Sequence, residues 1–179
     1  LMEVFFADDF ESLKDFANQP DQLAIFKREK PVEASAFFAK LGLTSFGIFG
    51  EVARRDPLAD IEFLLEEDMP LDIQSDPFYK TWLEDMAQVC LLFCDVEQNE
   101  KVHMWLGSKR GCRRYHIDNV PRRLLVTYDG KGTEWLPEYA ANRDAFSQGE
   151  PNEKIVRDYS APQFMSEWDI SIFRGGASG

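Results

Sequence analysis

The stretch DPFYKTWLEDMAQVCLLFCDVEQNEKVHMWLG, residues 76–107, contains the change of periodicity that decides the predicted fold. It begins with Asp-Pro, an N-cap followed by a favourable first helical residue, and its apolar side chains then recur at three- and four-residue spacings. These features predict a long amphipathic helix. From Lys101 to Gly107 the alternation has a period of two, which is typical of a half-buried strand. A helical part followed by β-structure predicts the α+β class.

The flanking segments extend this division in both directions. Residues 30–42 and 56–68 predict further helices, each with a proline near its start. Residues 122–128 and 167–176 predict strands, with Gly, Pro and Asn turn signals between them. We therefore expect a single domain over residues 1–179, in which residues 1–98 are mainly helical and residues 99–179 form antiparallel β-structure.

Composition limits the classes of function. The chain has 20 Lys and Arg against 32 Asp and Glu, a formal net charge of -12, which argues against nucleic acid or an anionic membrane as partner. Three cysteines do not make a secreted disulfide framework, and we expect core packing of Cys90 and Cys94 rather than binding of a soft metal. No basic leader or long apolar run is seen, so we expect a soluble, cytoplasmic protein.

The positive charge is concentrated in one segment. Residues 109–123 contain six Lys or Arg against one Asp, a net charge of +5 in an otherwise acidic chain. Two interpretations are open. The segment is either a solvated basic turn or a pocket for a small carboxylate or phosphate.

A candidate metal site lies inside this basic segment. If residues 111–119 are extended, alternate side chains share a face, and that face carries Cys112, Arg114, His116 and Asp118. A His and an Asp two residues apart on a strand can chelate one metal facially, as in non-haem iron oxygenases. The alternative is a hydrogen bond between the imidazole and the carboxylate without a metal.

The segment that follows the basic stretch offers further candidate residues. Tyr128 shares a strand face with Leu124 and Val126, and the Gly130/Gly132 turn leads to polar and aromatic side chains, Thr133, Glu134 and Trp135. Loops at strand ends often carry binding residues. A hairpin turn with a packing tryptophan explains the same residues equally well.

The run C-x-R-x-H-x-D-N-V-P-x-R-L-L-x-T-Y-x-G-x-G-T-E-W-L-P-E, residues 112–138, resembles the signature of a bacterial family known only as a domain of unknown function. LAIFKREKP, residues 23–31, resembles that family's N-terminal segment. The family's strand pattern is similar to the jelly roll, or double-stranded β-helix, of cupins and Fe(II)/2-oxoglutarate oxygenases. The resemblance implies N-terminal helices packed on an antiparallel jelly roll that binds a metal.

Carried over by position, the resemblance implies that His116 and Asp118 are the first two metal ligands. Cys112, Thr133, Glu134 and Trp135 match other signature positions. The family places a third ligand, the His of a G-x-x-H-R motif, after a strand like residues 169–176. The sequence ends at Gly179 before that motif. We therefore expect a jelly roll that is incomplete at its C-terminus here, and the third ligand either lies further on or is missing from this member.

The leading functional hypothesis is an Fe(II)/2-oxoglutarate-dependent dioxygenase. Arg114, Arg123 and Tyr128 would bind the small anionic cosubstrate beside the iron. The alternative is a non-enzymatic zinc-binding or zinc-homeostasis protein, which a Cys112 thiolate favours. A second alternative is a metal-free interaction module. The substrate and any protein partner stay open.

Overall fold

A computed structural model describes residues 4–108, 121–160 and 162–175. Its strands are β1 (Val4–Ala7), β2 (Leu23–Phe26), β3 (Gly47–Ala53), β4 (Lys101–Gly107), β5 (Arg122–Val126), β6 (Glu134–Trp135), β7 (Gln163–Phe164) and β8 (Ile170–Arg174). Its α-helices are α1 (Phe10–Lys14), α2 (Ala34–Leu41), α3 (Pro57–Glu66), α4 (Leu71–Gln74), α5 (Pro77–Glu97), α6 (Arg143–Ser147) and α7 (Asn152–Ile155), and Asp15–Asn18 and Glu138–Ala140 are 3₁₀ helices. The predicted α+β class is confirmed.

The chain divides into two compact units. We call the first the sheet unit (Leu1–Ser12, Asn18–Lys30 and Gly111–Gly179) and the second the helical unit (Leu13–Ala17 and Pro31–Arg110). The single-domain interpretation of the sequence stays a prediction.

The helical unit contains the helices that the sequence predicted best. The Asp56 carboxylate accepts a hydrogen bond from the Ala59 N–H at 3.2 Å, and the Asp76 carboxylate accepts one from the Phe78 N–H at 2.9 Å, so both Asp-Pro pairs start helices as expected. The predicted helix at residues 30–42 begins only at Ala34. β3 and β4 pair antiparallel over their full length.

The buried face of α5 forms the core of the helical unit. Trp82 lies within 5.6 Å of the Phe37 ring and 5.5 Å of the Phe38 ring, measured between ring centroids. Cys90 and Cys94 are buried on the same helix, which confirms their predicted core packing. Burial raises the pKa of the Cys90 thiol to about 12, so this thiol is protonated at neutral pH.

The sheet unit is built on four strands in the order β1-β2-β8-β5. β1 and β2 are parallel, whereas β2–β8 and β8–β5 are antiparallel. Ile170 and Ile172 of β8 are fully buried. On the side of the sheet formed by Leu23 and Ile25, Met165 is buried, with Trp135 and Phe173 packed against this cluster.

The strands of the first half were not predicted from the sequence. β1 and β2 are continuous four-residue apolar runs without alternation, and a run of this kind cannot be distinguished from helix by periodicity. Antiparallel pairing is confirmed for β4, β5 and β8. Over the described residues the strands form one four-stranded sheet and two two-stranded sheets, without a closed barrel. None of the helices in those residues combines the length and apolar character needed to cross a bilayer.

Candidate functional site

Three segments of the sheet unit converge at one end of the four-stranded sheet. Phe26, Ile170 and Val126 form the last paired row of β2, β8 and β5. Beyond this row lie residues 27–30 after β2, residues 127–130 after β5 and residues 167–169 before β8. We call these three segments the polar end.

A buried carboxylate holds two of the converging segments together. Asp169 is 5% exposed, and its Oδ1 accepts a hydrogen bond from the Arg28 backbone N–H at 3.1 Å. Its Oδ2 accepts one from the Ser166 backbone N–H, also at 3.1 Å. A buried charge requires such partners, so Asp169 fixes the extension of β2 against the turn before β8.

An ion-pair network joins all three segments. The Lys30 ammonium lies 2.9 Å from the Glu167 carboxylate and 3.3 Å from the Asp129 carboxylate. Glu167 also accepts a hydrogen bond from the Gly130 backbone N–H at 3.0 Å. The hydrogen bond from Lys30 holds the pKa of Glu167 below its ordinary value, and the same bond raises the pKa of Lys30. Both groups are therefore favoured in their charged forms.

Trp168 lies at the centre of the polar end in an uncommon conformation. Its φ is +72°, a left-handed value that large side chains rarely adopt, and its side chain is buried. Tyr128 packs against the Trp168 ring edge to face at 4.9 Å, and the Arg28 guanidinium lies 5.4 Å from the Trp168 ring centroid. The Arg28 Nε donates to the Trp168 carbonyl at 2.7 Å. These contacts offset the backbone strain and keep the segment in place.

The predicted metal site lies outside the described residues, which exclude Cys112, Arg114, His116 and Asp118. The described chain resumes at Pro121 and enters β5 at the end of the sheet opposite the polar end, where Arg122 of β5 and Arg174 of β8 are cross-strand neighbours. We call Arg122, Arg123 and Arg174 the arginine end. Arg174 donates hydrogen bonds to the backbone carbonyls of Gln19 at 2.7 Å and Asp21 at 3.2 Å.

The two predicted cosubstrate residues with described positions, Arg123 and Tyr128, lie toward opposite ends of β5. Arg123 is exposed at the arginine end, near the point where the basic segment joins the sheet. Tyr128 follows the other end of the strand and packs on Trp168. They are five positions apart in sequence, which corresponds to roughly 16 Å of extended chain. Of the two, only Arg123 lies at the arginine end.

The glycines of the signature turn have structural roles. Gly130 has a φ of +95°, which favours glycine. A Cβ on Gly132 would lie 2.0 Å from the Met165 carbonyl oxygen, so another residue does not fit without a shift. The Thr133 carbonyl accepts a hydrogen bond from the Met165 N–H at 2.9 Å, which fixes the neighbouring chain.

The signature residues after this turn form β6, and β6 pairs with β7 rather than returning as a hairpin to β5. Glu134 is half-buried opposite Phe164. Trp135 packs against the core cluster that contains Met165. The contacts of this turn therefore match the packing interpretation of its tryptophan.

A family model described as "Protein of unknown function (DUF1826)" matches residues 7–178, nearly the whole chain. The chain belongs to this family. No curated protein and no solved structure matches it. Membership of DUF1826 confirms the predicted resemblance to a family of unknown function, and it supplies no activity for the site.

The polar end of this DUF1826 chain contains residues that the sequence analysis did not select. Arg28, Lys30, Glu167 and Asp169 lie in segments whose patterns were interpreted as a family resemblance, the start of a helix and a strand. One signal was available, namely an aspartate placed directly before the apolar strand at residues 170–173. The partner segment is 141 residues away in sequence, and periodicity carries no information about such a contact.

Side chains of the types that bind metals fall both inside and outside the described residues of this DUF1826 chain. His, Asp and Cys at the predicted positions suit Fe(II) or Zn(II) by their chemistry. The residues with described positions contain no group of three or more His, Cys, Asp or Glu that could hold a metal ion. His103 belongs to the helical unit, where its ring stacks on Phe49 at 6.0 Å and its Nε2 lies 4.0 Å from Glu51.

Proposed function

We propose that this DUF1826 protein is a metal-dependent jelly-roll protein, and specifically an Fe(II)/2-oxoglutarate-type dioxygenase with His116 and Asp118 as metal ligands. The observation that supports it is the position of the His-x-Asp pair in sequence. The pair lies in the most basic stretch of the chain, directly before β5, which pairs antiparallel with β8. A cation site and an anion site in one segment suit a metal with an anionic cosubstrate.

Each protein group has a distinct task in this proposal. The His116 imidazole and the Asp118 carboxylate bind the metal facially and leave positions for a third ligand and for exchangeable ligands. When bound, iron supplies the activation of O2. Arg114 and Arg123 hold the carboxylates of 2-oxoglutarate through charge-assisted hydrogen bonds. Tyr128 has a described packing contact with Trp168, so we assign cosubstrate binding to the arginines first.

The alternative function is zinc binding without turnover. A Cys112 thiolate beside His116 and Asp118 suits Zn(II) better than Fe(II), because soft sulfur ligands are typical of zinc sites. A metal-free interaction module is the third candidate, in which His116 and Asp118 hydrogen-bond to each other. For all three we propose a cytoplasmic location, in agreement with the free thiols of Cys90 and Cys94.

Metal content tests the proposal directly. The protein is reconstituted anaerobically with equal concentrations of Fe(II) and Zn(II), and bound metal is measured by plasma mass spectrometry. We expect one metal per chain in the wild type and none in His116→Ala, because loss of the imidazole removes a ligand. His103→Ala is the matched control, since its side chain is 64% exposed and lies on β4 of the helical unit. We expect this variant to retain the metal.

The identity of the metal distinguishes the functions. Bound iron together with conversion of 2-oxoglutarate to succinate supports the dioxygenase. Bound zinc without turnover supports the zinc-binding protein. Absence of metal from the wild type, or equal loss from both histidine variants, contradicts the assignment of His116 and favours the metal-free module. Circular dichroism of each variant establishes that a loss of metal is not a loss of fold.

A further inference from the structure

A groove runs across the helical unit between α3, α4 and the beginning of α5. Its volume is about 510 Å³, within the usual size range of ligand sites. It is lined mainly by Glu62, Phe63 and Glu66 of α3, Gln74 of α4, and Tyr79 and Leu83 of α5. All of these side chains belong to the helical unit.

The walls of the groove are fixed by contacts with the core. The Gln74 side-chain amide donates to the backbone carbonyls of Glu66 at 3.1 Å and Met69 at 2.7 Å, which ties α4 to the end of α3. The Tyr79 ring lies 6.2 Å from the buried Trp82 ring, between centroids. A preformed groove loses little conformational entropy when a ligand binds.

Two carboxylates form the polar side of the groove. Glu62 and Glu66 are exposed and lie one helical turn apart on the same face of α3, where like charges destabilise a helix. In the described residues neither has an ion-pair partner. Lys80 at the rim is directed to Glu84 of its own helix, at 3.9 Å. Burial raises the pKa of Tyr79, and the nearby negative charge of Glu62 raises it further.

An exposed aromatic ring completes the groove. The Phe63 side chain is 76% exposed, and Phe63 lies between Glu62 and Glu66 in sequence. An aromatic face beside carboxylates suits an arginine or lysine side chain, because the aliphatic stem covers the ring while the charged head reaches the carboxylates. A neutral or acidic ligand would leave the repulsion between Glu62 and Glu66 in place.

We propose that this groove binds a basic peptide segment of a partner protein, with an arginine or lysine side chain seated between Phe63 and the carboxylates of Glu62 and Glu66. The charge of the groove selects the occupant, since two carboxylates without a described cation partner complement a cationic side chain. None of the groove residues is among the proposed metal ligands, so the two proposals can be tested independently.

Fluorescence anisotropy tests the groove with a labelled short peptide of alternating arginine and leucine. The double variant Glu62→Gln/Glu66→Gln should weaken binding roughly tenfold, because two charge-assisted contacts are lost. The matched control is Glu33→Gln/Glu100→Gln, which removes the same charge from exposed positions of the same unit outside the groove. It should change binding by less than roughly twofold, since it acts only through the screened field.

Further binding measurements distinguish the contribution of charge from that of apolar contact. A peptide in which citrulline replaces every arginine should bind much more weakly, and Phe63→Ala should reduce binding whereas Val32→Ala, at another exposed apolar position, should not. The proposal is overturned by equal losses in both double variants, by equal binding of the citrulline peptide, or by an absence of saturable binding to the wild type. Self-association that disappears in Glu62→Gln/Glu66→Gln would also overturn it and assign the groove to a second copy.

Discussion

Cationic side chains have different neighbours at the two ends of the four-stranded sheet. At the polar end Lys30 is held between the carboxylates of Asp129 and Glu167. At the arginine end Arg122 and Arg174 are cross-strand neighbours, and Arg174 donates hydrogen bonds to two backbone carbonyls. The polar end thus places a lysine between carboxylates, whereas the arginine end brings two arginines side by side.

We interpret the polar end as a feature that stabilises the fold and the arginine end as a feature that serves binding. Arg122 and Arg174 occupy directly opposed strand positions, where like charges repel each other. The predicted segment with His116 and Asp118 leads into the sheet at this same end. We therefore expect substitutions at the polar end to change stability and substitutions at the arginine end to change binding.

The largest expected effect on stability is that of Asp169→Ala at the polar end. This change leaves the backbone N–H groups of Arg28 and Ser166 without their carboxylate acceptor. The free energy of unfolding should fall by roughly 2 to 4 kcal/mol, because a buried donor that loses its partner costs about 1 to 3 kcal/mol. Urea unfolding followed by tryptophan fluorescence measures the loss.

Asp129→Ala is the matched control for that substitution. Its side chain is 49% exposed and contacts Lys30 at 3.3 Å, so the free energy of unfolding should change by less than about 1 kcal/mol. Similar losses in the two variants would show that the polar end is not held by its buried carboxylate, and the contrast between the two ends of the sheet would fail.

Local signals account for the parts of the fold that the sequence predicted. The Asp-Pro caps at Asp56 and Asp76 start α3 and α5, and strict alternation marks β4 over the same residues as in the structure. The strands at β5 and β8 were also predicted, although each is shorter than its sequence pattern. In each of these elements the deciding interactions lie within a few residues of one another.

The remaining features depend on contacts between distant residues. β2 pairs with β8, and Asp169 bonds to Arg28 across 141 positions, so neither could be inferred from a local pattern. The sequence left open whether the signature turn serves binding or packing. The contact that excludes a side chain at Gly132 comes from Met165, which is distant in sequence. The His-x-Asp pair could be selected by its chemistry, whereas its third ligand is a question of tertiary structure.

A smaller, pH-dependent effect is expected for Glu167→Gln. The pKa of Glu167 is lowered in the folded protein, so its contribution to stability is present above the ordinary value of 4.5 and is lost as the pH falls through the folded pKa. Near neutral pH the variant should be less stable than the wild type by less than about 1 kcal/mol, since the ion pair is partly exposed. The difference between the two proteins should shrink in acid.

The raised pKa of Lys30 adds a test at the opposite end of the pH scale. The contribution of the Lys30 charge to folding stability is present below the ordinary pKa of 10.5. It is lost as the pH rises through the folded pKa. Chemical denaturation of the wild type and Glu167→Gln across the pH range measures both limits. A stability difference that does not decrease in acid would show that Glu167 acts through packing rather than through its charge.

The smallest effect on stability is expected for Arg123→Ala. This variant tests whether the arginine end binds the cosubstrate. Arg123 is exposed on β5, so its truncation should change the free energy of unfolding by no more than about 0.5 kcal/mol. If the arginine end receives the cosubstrate, the same truncation should weaken 2-oxoglutarate binding to the metal-loaded protein roughly tenfold, since a charge-assisted contact is lost. Arg157→Ala, at an exposed position of the same unit, is the matched control and should leave the affinity unchanged. Calorimetric titration of both variants decides the matter, because a solvated basic surface would respond equally to the loss of either arginine, whereas a binding site responds only to the loss of Arg123.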